Sequence, residues 1–182
     1  MKRLALLNKT VFRLAFLSLA MMVSLSAAAQ TQVGIPGTKV KYSFQGKWNF
    51  LNSQRVDNNT TVYLYYYTSK IIVSKGDTAL PNLRIRVRKH YTGELFDYVY
   101  DRYVAEPYQP LKDYTSGLGL PKSGGMGYIG AYTNLSDKKD YQFRMVYFKV
   151  NNTVVEFRLE TTKATYPQME KEFEAILGSL VF

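Results

Sequence analysis

Cysteine is absent from this chain of 182 residues, and histidine occurs once, at His90. Without thiols there is no disulfide staple, no thiolate metal site and no lipid-modified cysteine anchor, so the fold rests on ordinary core packing. A single imidazole with no serine or cysteine nucleophile pattern beside it does not supply the parts of a catalytic triad, since a base needs a positioned partner. His90 reads instead as a pH-sensitive surface charge. Also missing is an apolar run of about 20 residues, the length a membrane-spanning helix needs. Acidic residues are the minority: 14 Asp and Glu face 24 Lys and Arg, for a formal net charge of +10.

The first 29 residues read as a secretory signal peptide. Lys2, Arg3, Lys9 and Arg13 form a basic head, Leu14 to Leu25 an apolar core, and Ala27-Ala28-Ala29 a small-residue cleavage site before Gln30. They imply an exported protein, periplasmic or secreted in a Gram-negative bacterium, with no transmembrane segment once the signal is cleaved. Residues 30–182 then suffice for one domain with a real core. The four basic residues of the leader leave with it, so +10 falls to +6. That excess is too mild to mark a nucleic-acid binder.

Residues 30–38, with Gly34, Pro36 and Gly37, read as a flexible lead-in. Residues 39–182 read as a single α+β domain, an antiparallel sheet packed by helices. Period-2 alternation marks strands at Val40/Tyr42/Phe44, at Leu83/Ile85/Val87 and at Val155/Phe157/Leu159, while Val62/Leu64/Tyr66 alternate with Tyr63/Tyr65/Tyr67. The polar run Asn52 to Asn59 reads as a loop, and Asn151-Asn152 as a tight hairpin turn. Apolar spacings of three and four predict a helix over 94–106 with Phe96, Val99, Tyr100, Tyr103 and Val104 on its apolar face. A terminal helix follows from Met169, Phe173, Ile176, Leu177 and Leu180, with Pro167 in its first turn and Gly178 as its stop. Residues 107–126, rich in proline and glycine, read as a long loop rimming a binding surface. Lys122-Ser123 within it misses the phosphate-loop spacing. Phe182 reads as a core plug.

The last third of the chain resembles the PsbP-like domain family, the fold of photosynthetic PsbP proteins and of DcrB-like bacterial envelope proteins. The resemblance rests on the hairpin Phe143–Phe148, Asn151-Asn152, Val154–Leu159, on the connection Thr161–Tyr166, and on the closing run Phe173–Phe182. At the other end, Gln45-Gly46-Lys47-Trp48 stands where that family's Pro-x-x-Trp entry would be. The resemblance implies a terminal helix crossing the sheet and a short Ser-aromatic tail closing the core. It also implies a non-enzymatic accessory protein that binds other proteins, and it transfers no ligand-binding residue.

Three groups of residues are candidates for function. Arg84, Arg86, Arg88 and Lys89 place positive charge along one strand face, with Tyr91 and Tyr63/Tyr65/Tyr67 available for stacking. Such a stripe is either a solvated face that discourages edge pairing or a contact for an envelope protein, an anionic glycan or a lipid headgroup. Glu94, Asp97 and Asp101 fall on one helical side and are either its wet face or oxygen ligands for calcium. Thr78, in Asp77-Thr78-Ala79, is a candidate O-glycosylation acceptor in an exposed turn. The reading is therefore an exported, non-enzymatic binding protein of the cell envelope that uses no cofactor, calcium aside, and engages its partner through the basic face. The alternatives are a glycan or peptide hydrolase using carboxylates of the 94–106 helix, and a small-ligand carrier using the tyrosine-rich sheet.

Overall fold

The computed structural model describes residues 30–45, 47–69, 71–74, 77–106, 109–113 and 125–182. The expected signal peptide and most of the 107–126 loop lie outside the described residues. In chain order the elements are β1 (Gln30–Gly34), β2 (Lys41–Gln45), β3 (Trp48–Arg55), β4 (Thr60–Tyr67), β5 (Ile71–Ser74), β6 (Asp77–Ala79), β7 (Asn82–Arg88) and α1 (Leu95–Ala105). They continue with β8 (Gln109–Asp113), β9 (Gly125–Thr133), β10 (Asp140–Val150), β11 (Thr153–Thr162) and α2 (Tyr166–Gly178).

Seven strands build one sheet in the order β3-β4-β7-β11-β10-β9-β8, with every neighbouring pair antiparallel. Two small hairpins, β1-β2 and β5-β6, stand beside it. β10 and β11 are joined by the expected tight turn, with Asn151 at φ 53°, a left-handed conformation that asparagine tolerates. No helix among the described residues is long and apolar enough to cross a membrane.

One sheet face is closed by α2 and the β1-β2 hairpin. Leu83, Ile85 and Val87 of β7, Val155, Phe157 and Leu159 of β11, and Val146 and Phe148 of β10 meet Tyr42 and Phe44 of β2 there. Met169, Phe173, Ile176 and Leu177 of α2 complete this core, as the sequence pattern requires. Each such side chain contributes roughly 1.5–3 kcal/mol by leaving water. Pro167 lies in the first turn, where its missing N–H is harmless. Ser179 ends the helix and clamps the hairpin, donating from Oγ to the Ser43 carbonyl at 3.0 Å and accepting from the Ser43 N–H at 2.7 Å.

The other face carries α1, which packs on β9 and β10 through Leu95, Tyr98 and Val99 against Tyr128, Phe143, Met145 and Tyr147. The helix bounds agree with the sequence pattern, but its orientation does not. Phe96, Tyr100, Tyr103 and Val104, expected inside, are exposed. The buried line is Leu95, Tyr98 and Val99, continued by Arg102 and Glu106, so charged residues complete the seat and hydrophobicity alone selects the wrong side.

Four more expectations change. Residues 30–34, read as a flexible lead-in, pair with β2 as β1, because Ile35 beyond them is core. The polar run after Asn52 continues β3 as far as Arg55, since an edge strand exposes its side chains and needs no apolar alternation. Residues 109–113 of the presumed loop form β8, where Pro110 is acceptable because β8 is the opposite edge strand. Phe182 packs edge-to-face on Phe148 at 5.0 Å but remains 42% exposed, a lid on the core rim rather than a plug.

Candidate functional site

β7 and β11 are antiparallel neighbours, so directly opposed residues share a face. Their register sets Arg86 against Glu156, Arg84 against Arg158, and Asn82 against Glu160. β11 lies in the middle of the sheet with layers on both sides, so all ten of its residues are buried, including the three charged ones. Set between the apolar positions Val155, Phe157 and Leu159, the residues Glu156, Arg158 and Glu160 form the floor of a charged layer beneath α1.

The layer is internally paired. Glu156, only 2% exposed, accepts from Arg102 Nε at 3.2 Å and faces Arg86 Nε at 3.8 Å. Arg158 reaches Glu106 at 3.2 Å through Nη1 and donates to Glu160 at 2.8 Å through Nε. Arg102 also pairs with Glu106, and Asn82 donates to Glu160 at 3.4 Å. Arg158 lies over the Phe143 ring, 4.6 Å from its centroid. Burial opposes the charge on Arg102, but Glu156 and Glu106 outweigh it and hold the guanidinium charged. Burial, reinforced by Glu156, pushes the Tyr98 phenol up to about 12 and raises that of Tyr147. Burial and then Glu160 take Tyr132 to about 12. These groups lock α1 to the sheet, with each of the three carboxylates paired to a guanidinium.

Beyond β7 the same sheet face has no covering helix among the described residues. The register continues across β4 and β3 in rows: Arg84, Leu64, Asn52; Arg86, Val62, Gln54; Asn82, Tyr66, Asn49. A bulge at Leu51, where the register shifts between Phe50 and Asn52, puts both Asn49 and Asn52 on this face. Asn49 donates to the Tyr66 hydroxyl at 3.5 Å. The open half-face is thus a ledge of three side-chain amides, Tyr66, Leu64 and Arg84, walled on one side by the ion network.

The expected basic stripe divides. Arg86 belongs to the network, and Arg88 is exposed with its guanidinium 5.5 Å from the Tyr91 ring. Lys89 is exposed, its aliphatic stem close against Gly37, a glycine at φ 82°. Arg84, partly exposed on the ledge, forms no ion pair with a described residue. Tyr63, Tyr65 and Tyr67 cannot stack beside these arginines because they point into the opposite core; Tyr66 shares the arginine face.

Glu94, Asp97 and Asp101 are all exposed on the outer side of α1, and no group of three or more His, Asp or Glu among the described residues is placed to hold a metal. Oxygen donors one and two turns apart on a straight helix do not converge on one ion without a ligand-bearing loop. Nor do the three line the open cavity of about 390 Å³ bounded by Lys139, Asp140, Thr162, Lys163 and Ala164. Thr78 belongs to β6, paired with Ile72, rather than to a turn, and its side chain lies outside the described residues. His90 is exposed at φ 57° in the turn that follows β7.

No protein-family model and no curated protein sequence matches the chain. Solved structures do. LpqN of Mycobacterium tuberculosis, described as involved in cell envelope biogenesis, matches with a TM-score of 0.53 at 11% identity, over 89% of this chain and 95% of that one. The Saccharomyces cerevisiae Ran-binding protein Mog1p matches with a TM-score of 0.53 at 7% identity, over 85% and 96%. Cyanobacterial PsbP from Synechocystis matches with a TM-score of 0.52 at 9% identity, over 86% and 94%. The fold is PsbP-like. In a Bacteroides thetaiotaomicron structure that also matches, the chain spans 47% of the longer protein.

On this PsbP-like sheet, sequence reasoning found the arginines and missed their partners. The signal was present: Arg84/Arg86/Arg88 and Glu156/Arg158/Glu160 both occupy the non-core positions of their strands. Their opposition becomes visible only when β7 and β11 are known to be neighbours. The ledge amides gave no such signal, because the Leu51 bulge that gathers them is not written as a glycine or a proline.

Proposed function

We propose that the chain is a non-catalytic accessory protein of the bacterial cell envelope that holds an anionic partner on the open half-face of its sheet. Arg84 is the central contact, Asn49, Asn52, Gln54 and Tyr66 supply hydrogen bonds around it, and Arg88 extends the positive charge. The observation that carries this reading is the contrast among neighbouring charges: Arg86 and Arg158 are paired with glutamates, while Arg84, two residues from Arg86 on β7 and opposite Arg158 on β11, has no described carboxylate. A partly exposed guanidinium among amides favours an acidic group of a partner protein, where a bidentate contact adds geometry to charge. Support for a binding role comes from the Ran-binding description of Mog1p, and for an envelope setting from that of LpqN and from the leader-like residues 1–29.

The test is cross-linking of the protein in cells of its own host, with captured proteins identified by mass spectrometry. Arg84→Glu with Arg88→Glu is expected to keep the melting temperature and reduce capture of the main partner at least tenfold. Unchanged capture removes this face from consideration. Arg86→Glu is unsuitable for that purpose, because it sets a second carboxylate against buried Glu156 and disturbs the seat of α1.

A further inference from the structure

α1 is apolar on two sides. Leu95, Tyr98 and Val99 face the sheet, while Phe96 (63% exposed), Tyr100 (59%), Val104 (62%) and Tyr103 (40%) stand in solvent. Their spacing of four, three and one places the four along one line of the helix. The Phe96 and Tyr100 rings stack, with centroids 6.5 Å apart and planes 16° from parallel. Isolated exposed apolar residues are ordinary, but a continuous aromatic stripe marks a contact surface, and aromatic side chains are the usual anchors of protein interfaces.

A second observation gives the chemistry of the occupant. Glu94, Asp97 and Asp101 flank the stripe, are exposed, and form no ion pair with a described residue. The one base of the helix, Arg102, is turned inward to Glu156 and Glu106. Near its N-terminal end, Lys149 and Arg88 both lie over the Tyr91 ring, and Lys149 donates to the Gly93 carbonyl at 2.6 Å. The outer side of α1 is therefore acidic and aromatic on a chain whose net charge is +10.

We propose that this side of α1 docks a basic amphipathic segment of a protein partner, with apolar side chains on Phe96, Tyr100 and Val104 and Lys or Arg over Asp97 and Asp101. A second copy of the chain does not suit the face, because isologous pairing would set its carboxylates against one another. An anionic lipid surface is repelled for the same reason. The site is distinct from the Arg84 ledge and selects the opposite charge, so the chain has two contact faces of opposite sign on either side of the Glu156 network.

The experiment places the photo-cross-linker p-benzoylphenylalanine at position 96 of the full chain in its own host and maps the cross-linked peptide by mass spectrometry. The expected adduct lies on one partner peptide carrying several Lys or Arg beside apolar residues. It falls at least tenfold with Asp97→Lys plus Asp101→Lys, falls likewise with Tyr100→Ser, and is unchanged by Arg84→Glu. Both α1 variants change exposed side chains, and an unchanged melting temperature checks their fold. An adduct on this chain itself, on lipid or on an acidic peptide overturns the proposal. So does an adduct that survives the charge reversal, or no adduct at all.

Discussion

The two helices lie on opposite faces of one sheet and are held in contrasting ways. α2 lays an apolar line on a largely apolar face that also carries one buried cation, Arg144, whose partners Glu170 and Glu174, at 3.3 and 3.4 Å, are themselves about half exposed. α1 meets a face already carrying Glu156, Arg158 and Glu160, buries three apolar residues, and completes its seat with Arg102 and Glu106. Having used charge to dock, it leaves Phe96, Tyr100 and Tyr103 outside. The sheet face that receives a helix, rather than the helix's own apolar content, decides which side turns inward, and a charged seat frees an apolar stripe for a partner.

Truncation sharpens that contrast most. Phe173→Ala removes a fully buried ring from the α2 core and is expected to cost about 3–5 kcal/mol. Phe96→Ala on α1 is expected to stay within about 0.5 kcal/mol, as exposed positions do. Urea unfolding of the two variants measures both. Comparable losses would mean that the outer side of α1 is covered in the free protein, and the contrast between the helices would collapse.

Charge removal breaks the comparison from the other direction. Glu156→Gln leaves Arg86 and Arg102 facing a neutral amide in a buried site, for an expected loss of about 3–5 kcal/mol. Arg144→Met on the α2 side removes an equally buried cation, yet its abandoned partners Glu170 and Glu174 are about half exposed and are rehydrated by water. That change is expected to stay within about 1 kcal/mol. Equal losses in urea unfolding would show that the two ion pairs do the same structural job.

The same contrast accounts for what the sequence made legible. α2, β7, the Asn151 turn and the α+β class were readable because burial there follows hydrophobic period, and Phe173 or Ile85 announces its own environment. α1 was readable as a helix, since period survives whichever side faces in, but its orientation depends on Glu156 and Arg158, about 55 residues away in the chain. β11 defeats alternation because a central strand with layers on both faces has no outside, so Glu156 and Arg158 look solvated and are not. Of the candidate site, Arg84 and Arg88 were found. Asn49, Asn52, Gln54 and Tyr66 were not, because strand order and one bulge bring them together.

The smallest expected effect tests the seat of α1 without altering its charges. Tyr98 is α1's buried aromatic, and burial first, then Glu156, raises its phenol from the ordinary 10.0 to about 12. A group whose folded value lies above its unfolded one contributes fully below the unfolded value and loses its contribution as pH rises through the folded one. Below about pH 10 the phenol is neutral in both states; between 10 and 12 the unfolded chain releases a proton that the folded protein retains. Unfolding free energy should therefore fall with rising pH in that window, and Tyr98 accounts for up to about 1.4 kcal/mol per pH unit of the slope. Tyr98→Phe keeps the ring against Tyr147 and Tyr91 and removes only the titrating hydroxyl. Urea unfolding of both proteins at several pH values from 9 to 11 should give the variant a shallower alkaline decline. Parallel declines would place Tyr98 in water, and α1 would then have no buried aromatic holding it beside Glu156.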